Sequence, residues 1–567
     1  MFKSRLTRAF PALLGVISLA ACTNAGNSEG RFTDHMKTEI EAMIEPWISD
    51  SAPGVAIAIS LDDDLVYKGS TGLANLESGQ HIKPESVFQV ASISKQFTAF
   101  ATLLLVSEGQ IDLDVDIRTY IPELNETPRV ITTRHLMDHT SGLRESGTLL
   151  PMAGWQDDDV VTQEKSIEMI ARQNGVNFLA GEEVEYNNSG YVLLAEIIAR
   201  VSGQSFQSFM QERVFDPLKM TSTRFRGSRN DIIMGRIPAY YPNGETFNKV
   251  TASSERVGST GLLTNAIDLL KWAENFETQT VGNNDVFSMM AERGSANDGE
   301  NSTFAKGHEL RPYKGLNTWS HGGTDEGYKT FILRVPEEDL ELIILSNRDD
   351  FDTAKLAFAL VDTILSKSPN FENTSPAAFD PATPLEMESY AGDYEFYPGI
   401  IFSLRAEKDG LTFASMGDSR DELVPLPQIG EREFLLNERT NLSLIFAEPG
   451  VGKSLSVKYQ IGLHGAIVAD RINLAPFDPE NMKIEAYVGT YWSEDLQTRY
   501  TIEVKDGQLI ANHTRLSAFE LTPYQKDTFI GNGPLQKLEF ITAKDENVTG
   551  FYASAPLADR VKFIRIE

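Results

Sequence analysis

Three short motifs in the sequence hold residue types that can carry out acyl transfer. The first is Ser92-Ile93-Ser94-Lys95, at the start of an almost wholly apolar stretch over residues 95–108. Such a stretch predicts a helix buried on all sides, and positions i and i+3 share a face, so the Ser92 hydroxyl and the Lys95 amine can touch. A serine hydroxyl is a weak nucleophile until a base takes its proton. A desolvated lysine can be that base, because burial lowers its pKa.

The second motif is Tyr186-Asn187-Asn188, in a loop that leads into an apolar helix predicted over residues 191–201. A tyrosine beside a cationic lysine can shuttle a proton, and an amide side chain can hold a substrate carbonyl. Alone, this motif is more often a helix cap with a packing tyrosine, just as Ser-x-x-Lys alone is more often a cap beside a solvated lysine.

The third motif is His321-Gly322-Gly323-Thr324, ahead of a strand predicted at residues 331–335. Two glycines let another backbone approach closely, so a ligand could lie along this strand as an extra edge. The Thr324 N–H would then face the Ser92 N–H and complete an oxyanion hole. Alone, a histidine on a strand is more often a satisfied polar group.

The elements around these motifs predict an α/β domain over residues 35–367. Hairpins are predicted at residues 55–69 and 331–346, near its two ends, and a closing helix at residues 353–366. Strands at both ends with helices between them indicate one antiparallel sheet, assembled from the two termini of the domain and flanked by helices.

A proline-rich linker over residues 368–386 separates this domain from an internal repeat. The segment Tyr390-Ala391-Gly392-Asp393-Tyr394 recurs as Tyr487-Val488-Gly489-Thr490-Tyr491. The short alternating strands that follow each copy predict two small antiparallel β-barrels, at residues 387–478 and 479–567. Three roles stay open for the barrels: shaping the cleft, mediating a homodimer, or binding a ligand of their own.

The N-terminal segment is typical of an exported lipoprotein. Three basic residues precede a short apolar run that ends in Leu19-Ala20-Ala21-Cys22, and Cys22 is the only cysteine of the chain. This ending resembles the lipobox of bacterial lipoproteins, which implies a signal peptide over residues 1–21, acylation of Cys22 and a tether over residues 22–34. A plain secretory signal is the alternative. Thr23 after the cysteine favours the outer membrane, on its periplasmic side, if the cell is Gram-negative.

The overall charge excludes one class of partner. The chain has 567 residues and a formal net charge of −30, and such a surface repels phosphate backbones, so no nucleic-acid partner is expected. The motifs call for neither a cofactor nor a metal, and the expected partner is a peptide or another small-molecule substrate.

Taken together and in this order, the three motifs resemble the family of class C β-lactamases, DD-peptidases, D-aminopeptidases and related esterases. Residues 131–143 look like the family's segment between the first and second motifs, and residues 257–264 look like its glycine-rich turn before a surface helix. In this family Arg134, His135 and His139 are read as structural. The resemblance implies a β-lactamase and penicillin-binding-protein-like fold over residues 35–367. Followed by two lipocalin-like barrels, this domain resembles the D-aminopeptidase architecture.

The resemblance also implies a mechanism. Ser92 is acylated, Lys95 acts as base or proton relay, Tyr186 is the partner base, and Asn188 contacts the substrate before the acyl-enzyme is hydrolysed. Which of Lys95 and Tyr186 takes the first proton stays open.

One departure from the family pattern bears on the substrate. β-Lactamases and DD-peptidases usually have lysine where His321 stands, and histidine, mostly neutral at pH 7, is a weaker anchor for a carboxylate. The leading hypothesis is therefore a peptidase or amidase on short peptides, including peptides with D-residues. The alternatives are a carboxylesterase on small acyl esters and a penicillin-binding, peptidoglycan-sensing protein with weak β-lactamase activity.

Overall fold

A six-stranded antiparallel sheet forms the centre of the α/β domain in the computed structural model. The structure describes residues 28–47, 49–296, 302–372, 384–407, 410–415, 424–437, 442–446, 456–461, 466–472, 477, 482–544 and 547–567. The strand order of the sheet is β10-β11-β12-β13-β1-β2. The strands are β1 (Val55–Leu61), β2 (Asp64–Thr71), β10 (Glu309–Tyr313), β11 (Leu316–Asp325), β12 (Tyr328–Val335) and β13 (Leu340–Ser346).

The two central strands come from opposite ends of the domain. β1 pairs with β13 in an antiparallel register that runs from Val55 opposite Ser346 to Leu61 opposite Leu340. Every residue of both strands is buried, as expected where helices cover both faces of a sheet. The predicted sheet from the two termini is confirmed.

Helices cover both faces of this sheet. In chain order they are α1 (Ser28–Arg31), α2 (Asp34–Ile44), α3 (Ser94–Ser107), α4 (Thr133–Met137), α5 (Ser146–Met152), α6 (Gln163–Ala171), α7 (Asn188–Ser202), α8 (Phe206–Met210), α9 (Ala266–Thr278), α10 (Asn284–Met290) and α11 (Thr353–Leu365). Short strands lie between them: β3 (Leu73–Asn75), β4 (Gln80–His81), β5 (Phe88–Gln89), β6 (Arg224–Phe225), β7 (Tyr240–Asn243), β8 (Thr246–Lys249) and β9 (Leu262–Thr264).

Two helices carry the first and second motifs. α3 is buried from Ser94 to Leu105, which confirms the prediction of a helix apolar on all sides. α7 packs against α3 within the same hydrophobic cluster. The chain turns out of α7 at Gly203, whose φ of +69° is a left-handed cap that favours glycine.

The first all-β unit begins with α12 (Pro384–Tyr390) and forms a nine-stranded sheet in the order β17-β16-β15-β14-β22-β21-β20-β19-β18. The strands are β14 (Gly392–Tyr397), β15 (Ile400–Glu407), β16 (Gly410–Ser415), β17 (Val424–Leu426), β18 (Gln428–Gly430), β19 (Glu433–Asn437), β20 (Leu442–Phe446), β21 (Ser456–Ile461) and β22 (Ala466–Ile472).

The second all-β unit is a closed eight-stranded barrel. Its strands are β23 (Gly489–Ser493), β24 (Thr498–Lys505), β25 (Gln508–Asn512), β26 (Phe519–Gln525), β27 (Thr528–Gly531), β28 (Lys537–Thr542), β29 (Val548–Ala555) and β30 (Ala558–Arg565). Side chains fill its interior, including Phe551 and Phe563 stacked at 4.7 Å between ring centroids. A barrel of this size has an interior just wide enough for side chains.

The two copies of the internal repeat make equivalent hydrogen bonds. The Tyr394 hydroxyl donates to the Tyr390 carbonyl at 2.8 Å, and the Tyr491 hydroxyl donates to the Tyr487 carbonyl at 2.8 Å. The predicted fold class, an α/β domain followed by all-β units, is confirmed. The described strands of the first unit form a sheet, whereas those of the second close into a barrel.

The predicted signal peptide and Cys22 lie outside the described residues, as does most of the predicted linker. Residues 28–34 of the predicted tether hold α1 and the start of α2, and Arg31 pairs with Glu338 at 2.7 Å. This end of the tether therefore lies against the α/β domain. No helix in the described parts of the chain is long and apolar enough to cross a bilayer.

Candidate active site

Lys95 joins the first two motifs at one buried point. Its amine donates to the Ser92 hydroxyl at 3.1 Å, to the Asn188 side-chain oxygen at 2.7 Å and to the Ser259 carbonyl at 3.0 Å. The side chain is fully buried. Burial lowers the pKa of Lys95 to about 7, a change that the nearby carboxylates of Glu145 and Asp325 partly oppose. A neutral amine that can accept a proton from Ser92 is therefore available near pH 7.

Ser92 lies in a single turn of 3₁₀ helix, Ala91–Ile93, that leads into α3. The preceding residue, Ala91, has a φ of +48°, a conformation that residues other than glycine rarely adopt. The Ser94 side chain stabilises the turn, because it donates to the Ala91 carbonyl and accepts from the Leu262 N–H. The strained turn leaves Ser92 partly exposed between two buried neighbours.

Tyr186 lies over the lysine and contacts the serine. The Lys95 nitrogen is 4.7 Å from the centroid of the Tyr186 ring, and the Tyr186 hydroxyl hydrogen bonds with Ser92. Burial raises the pKa of Tyr186 above its ordinary value, although the hydrogen bond to Ser92 opposes the change. The phenol is therefore protonated at neutral pH, and it can pass a proton between Lys95 and a leaving group.

The ring of His139 packs against the ring of Tyr186. The two rings stack at 4.6 Å between centroids, and the His139 Nδ1 accepts the Asn187 N–H at 3.0 Å. Burial holds the pKa of His139 well below its ordinary value, and the positive charge of Lys95 adds to the effect. A neutral, buried ring in this position fits the structural role expected of His139.

Asn188 is the first residue of α7, and its backbone is held by a carboxylate. The Glu145 side chain accepts the N–H of Asn188 at 2.6 Å and the N–H of Ser189 at 3.2 Å. Asn187 caps the helix, because its side chain accepts the Gly190 N–H at 2.9 Å. These contacts fix the side-chain amide of Asn188 against Lys95.

The third motif lies on β11, beside the turn that carries Ser92. A Cβ atom added at Gly323 would lie 2.4 Å from the Val90 carbonyl oxygen and 3.1 Å from the Ala91 Cβ. Only glycine lets the strand come this close to the turn. His321 is buried on the same strand and Thr324 is exposed, and the ring centroids of His321 and Tyr186 are 6.2 Å apart. The oxyanion role of Thr324 stays a prediction.

The sequence did not identify three contacts that hold the site together: the Glu145 carboxylate, the Ser259 carbonyl and the Asp325 carboxylate. Asp325 accepts from Thr260 at 2.6 Å and from Gln89 at 2.8 Å. Ser259 acts through its backbone carbonyl, which every residue type has, so the identity of the residue does not indicate this contact. Glu145 follows residues 131–143 by two positions, and Ser259 lies within residues 257–264. Proximity to these two stretches, which resemble segments of the family, is the available sequence signal for both residues.

The two other residues expected to be structural lie at α4, away from Lys95. Arg134 forms an ion pair with Asp114 at 2.8 Å, and His135 takes part in a capping box with Thr132. Among the described residues, no group of three His, Cys, Asp or Glu side chains could hold a metal ion.

The fold and the site together define a serine hydrolase. The model of the Beta-lactamase family matches residues 31–364, which is more than half of the chain, and the chain belongs to this family. A domain of unknown function (DUF3471) matches residues 476–563, which cover the closed barrel except for the last two residues of β30.

Among curated proteins, the chain is similar to Penicillin-binding protein 4* of Bacillus subtilis (strain 168), with 27% identity over 420 residues that cover 68% of this chain and 91% of the relative. It is also similar to the D-aminopeptidase of Brucella anthropi, with 22% identity over 414 residues that cover 69% of this chain and 75% of the relative.

Solved structures show the same fold. The octameric penicillin-binding protein homologue from Pyrococcus abyssi superposes with a TM-score of 0.54 at 22% identity, covering 77% of this chain and 99% of that one. The D-amino acid amidase from Ochrobactrum anthropi SV3 superposes with a TM-score of 0.50 at 22% identity, covering 59% of this chain and 98% of that one.

Proposed function

We propose that this serine hydrolase cleaves amide bonds in short peptides, including those with D-residues, through an acyl-enzyme on Ser92. The proposal depends on one observation: a fully buried lysine amine contacts both the Ser92 hydroxyl and the Asn188 amide. The D-aminopeptidase and D-amino acid amidase among the similar proteins support the substrate class.

In the proposed reaction, neutral Lys95 accepts the Ser92 proton as the Ser92 oxygen bonds to the substrate carbonyl carbon. The proton then passes through Tyr186 to the leaving amine as the carbon–nitrogen bond breaks. Water attacks the resulting ester and the same groups accept its proton. They return this proton to the Ser92 oxygen as the bond between that oxygen and the acyl carbon breaks, which releases the acid and restores the Ser92 hydroxyl. Lys95 is favoured as the first base, because burial lowers its pKa and raises that of Tyr186.

The pH dependence of the wild-type enzyme tests this assignment. The pKa of Lys95 is lowered to about 7, and only the neutral amine can accept a proton. We therefore expect kcat/KM to rise about tenfold per pH unit below about pH 6 and to level off above about pH 8. Steady-state rates between about pH 5 and pH 9 would measure this. A profile that falls as pH rises through neutrality would contradict Lys95 as the base.

His321 bears on which substrates are accepted. The ring is buried beside Tyr186. The resemblance of the third motif to the family pattern implies that most β-lactamases and DD-peptidases have a lysine in place of His321. A buried imidazole is a weak anchor for a free carboxylate, and this supports peptides and amides over β-lactams as substrates.

A substrate panel separates the candidate activities. D-aminoacyl p-nitroanilides, the matching L-anilides, p-nitrophenyl esters and a chromogenic cephalosporin would be compared by kcat/KM. We expect the D-anilides to be turned over fastest relative to their uncatalysed hydrolysis. Turnover of esters alone would favour a carboxylesterase, and rapid turnover of the cephalosporin would overturn the proposal.

Replacement of Gly323 by alanine tests the close approach of β11. The added Cβ would lie 2.2 Å from the Thr330 Oγ and 2.4 Å from the Val90 carbonyl oxygen, so the strand must move away from Ser92. A displacement of about 1 Å in an active site costs roughly 100-fold in rate. We expect a loss of kcat/KM of roughly 10- to 100-fold. A folded variant with wild-type kcat/KM would show that β11 does not border the reacting atoms.

The chain's cellular location is a separate proposal. We propose that residues 1–21 are removed as a signal peptide and that Cys22 carries a lipid anchor on the periplasmic side of the cell envelope. The basic start, the apolar run and the single cysteine support this. Mass spectrometry of the N-terminal peptide, with Cys22→Ser as the control, tests it. An unmodified Cys22 in the mature protein would refute the anchor.

A further inference from the structure

A segment over residues 556–560, made of the turn between β29 and β30 and the first three residues of β30, lies against the α/β domain beside the active site. We call it the docking turn. Its Leu557 carbonyl accepts the Glu145 N–H at 2.8 Å, and its Pro556 carbonyl accepts the Thr148 hydroxyl at 2.8 Å. Leu557 has a φ of +64°, a left-handed conformation that costs a leucine free energy. The contacts that hold it must offset this cost.

Arg144 fixes the docking turn in place. Its guanidinium donates to the Asp559 and Arg560 carbonyls at 2.9 Å each. It also pairs with Asp495 of the barrel at 2.9 Å, and the two side chains are only 4% and 8% exposed. A charge buried to this extent is costly unless it is paired and hydrogen bonded, so the barrel and the segment around Arg144 are held in one arrangement.

The segment around Arg144, residues 143–145, also contacts the start of α7. The Asn187 amide donates to the Leu143 carbonyl at 2.7 Å, and the Ser189 hydroxyl donates to the Arg144 carbonyl at 3.0 Å. The Glu145 carboxylate accepts the Asn188 N–H at 2.6 Å. Arg144 and Glu145 therefore contact the barrel, through the Arg144 guanidinium and the Glu145 N–H, and the Glu145 side chain contacts Asn188.

Asn177 makes a second connection between the barrel and the site. Its amide nitrogen donates to the Leu557 carbonyl at 3.1 Å, and its amide oxygen accepts the Asp559 N–H at 2.9 Å. The same nitrogen donates to the Glu185 carboxylate at 2.8 Å. Glu185 directly precedes Tyr186, so Asn177 links the docking turn to the loop that carries the proposed proton relay.

We propose that the C-terminal barrel positions the catalytic groups, with Asn177 and Glu145 as positioning residues that transmit the placement of the docking turn to Tyr186 and Asn188. The inference rests on the proposed acyl transfer at Ser92. It assigns a role in the rate of acylation to the barrel over residues 489–565, which overlaps the domain of unknown function matched over residues 476–563.

A matched pair of asparagine variants tests this role. Asn177→Ala removes hydrogen bonds both to the docking turn and to Glu185. Asn174→Ala also removes a hydrogen bond to the barrel, the one from Asn174 to Asp495 at 2.6 Å. Within the described residues, however, Asn174 makes no hydrogen bond to the start of α7. The two variants should lose similar stability and differ in activity.

The readout is the second-order rate of Ser92 labelling by a fluorophosphonate, measured on the full chain together with the thermal midpoint. We expect Asn177→Ala to slow labelling roughly 10-fold or more, with kcat rather than KM affected on any hydrolysed anilide. Asn174→Ala should stay within about 2-fold of the wild type. Equal rates for the two variants would overturn the inference.

A second pair decides the matter if Asn177→Ala does not fold. Thr148→Val removes the hydroxyl that donates to the Pro556 carbonyl, and Thr148→Ser keeps it. We expect the valine variant to label more slowly and the serine variant to recover the wild-type rate. The same slow rate in both would refute the inference. A wild-type chain that is not labelled at Ser92 at all would instead refute the proposed function.

Discussion

Replacement of Ser92 by alanine is expected to lower kcat/KM at least about 1000-fold on whichever substrate the wild-type enzyme hydrolyses. The variant keeps Lys95 and Tyr186 but has no atom that can form the acyl-enzyme. The residual rate then comes only from substrate binding and from the backbone amides that stabilise the developing oxyanion. Ser92 is partly exposed and its hydroxyl accepts from Lys95, so its loss leaves the fold in place.

The matched control for this variant is Ser107→Ala, at the C-terminal end of α3, the helix that follows the turn of Ser92. Ser107 is exposed and hydrogen bonds only locally, to the Leu104 carbonyl at 2.8 Å. The Ser107→Ala variant should keep the wild-type kcat/KM, and a fluorophosphonate should label this variant at Ser92. If Ser92→Ala stayed active while the wild-type chain showed no adduct at Ser92, the chain would use another nucleophile.

The sequence predicted the pairing of Ser92 with Lys95 because helical geometry alone brings positions i and i+3 together. It also predicted that Tyr186 and Asn188 join them, but only through the order of the motifs, because 91 residues separate Lys95 from Tyr186. No local rule sets a contact at that separation. The distances that make Lys95 a base come from the packing of α7 on α3.

The contacts that hold the motif residues in place could not be predicted in the same way. Glu145 acts by accepting backbone N–H groups of Asn188 and Ser189, and a glutamate in a loop has the same sequence signature as any solvated surface residue. The docking turn contacts the site through the Leu557 and Pro556 carbonyls. Backbone carbonyls are present at every position, so residue types there carry no information about this contact.

In the all-β region too, the sequence predicts some features of the structure and leaves others undetermined. The repeated tyrosines predicted two related units, and both make the same hydrogen bond between the two tyrosines of the motif. Alternating apolar residues, as in β24 with its buried Tyr500 and Ile502, predicted strands with one face inside. Whether such strands close into a barrel depends on strand tilt and stagger, which neither the repeat nor the alternation specifies.

Replacement of Lys95 by methionine is expected to lower kcat/KM about 100- to 10,000-fold, the range that general base catalysis contributes. Methionine is unbranched and of similar length, so it can fill the buried space without a charge. The variant also removes the group whose pKa lies near 7, and the residual activity should lose the rise with pH across neutrality. The measurement is kcat/KM between about pH 5 and pH 9.

The control for this variant is Lys68→Met, which removes a lysine whose side chain is 53% exposed on β2. It should keep both the rate and the pH profile of the wild type.

The pH profile separates two explanations of a slow Lys95→Met enzyme. If the residual rate still rose through pH 7, another group would supply the base and Lys95 would serve only to hold Asn188 and Ser92 in place. If the profile became flat while the thermal midpoint stayed near that of the wild type, the missing function would be proton transfer, because a packing defect alone leaves the titration of the remaining catalytic groups unchanged.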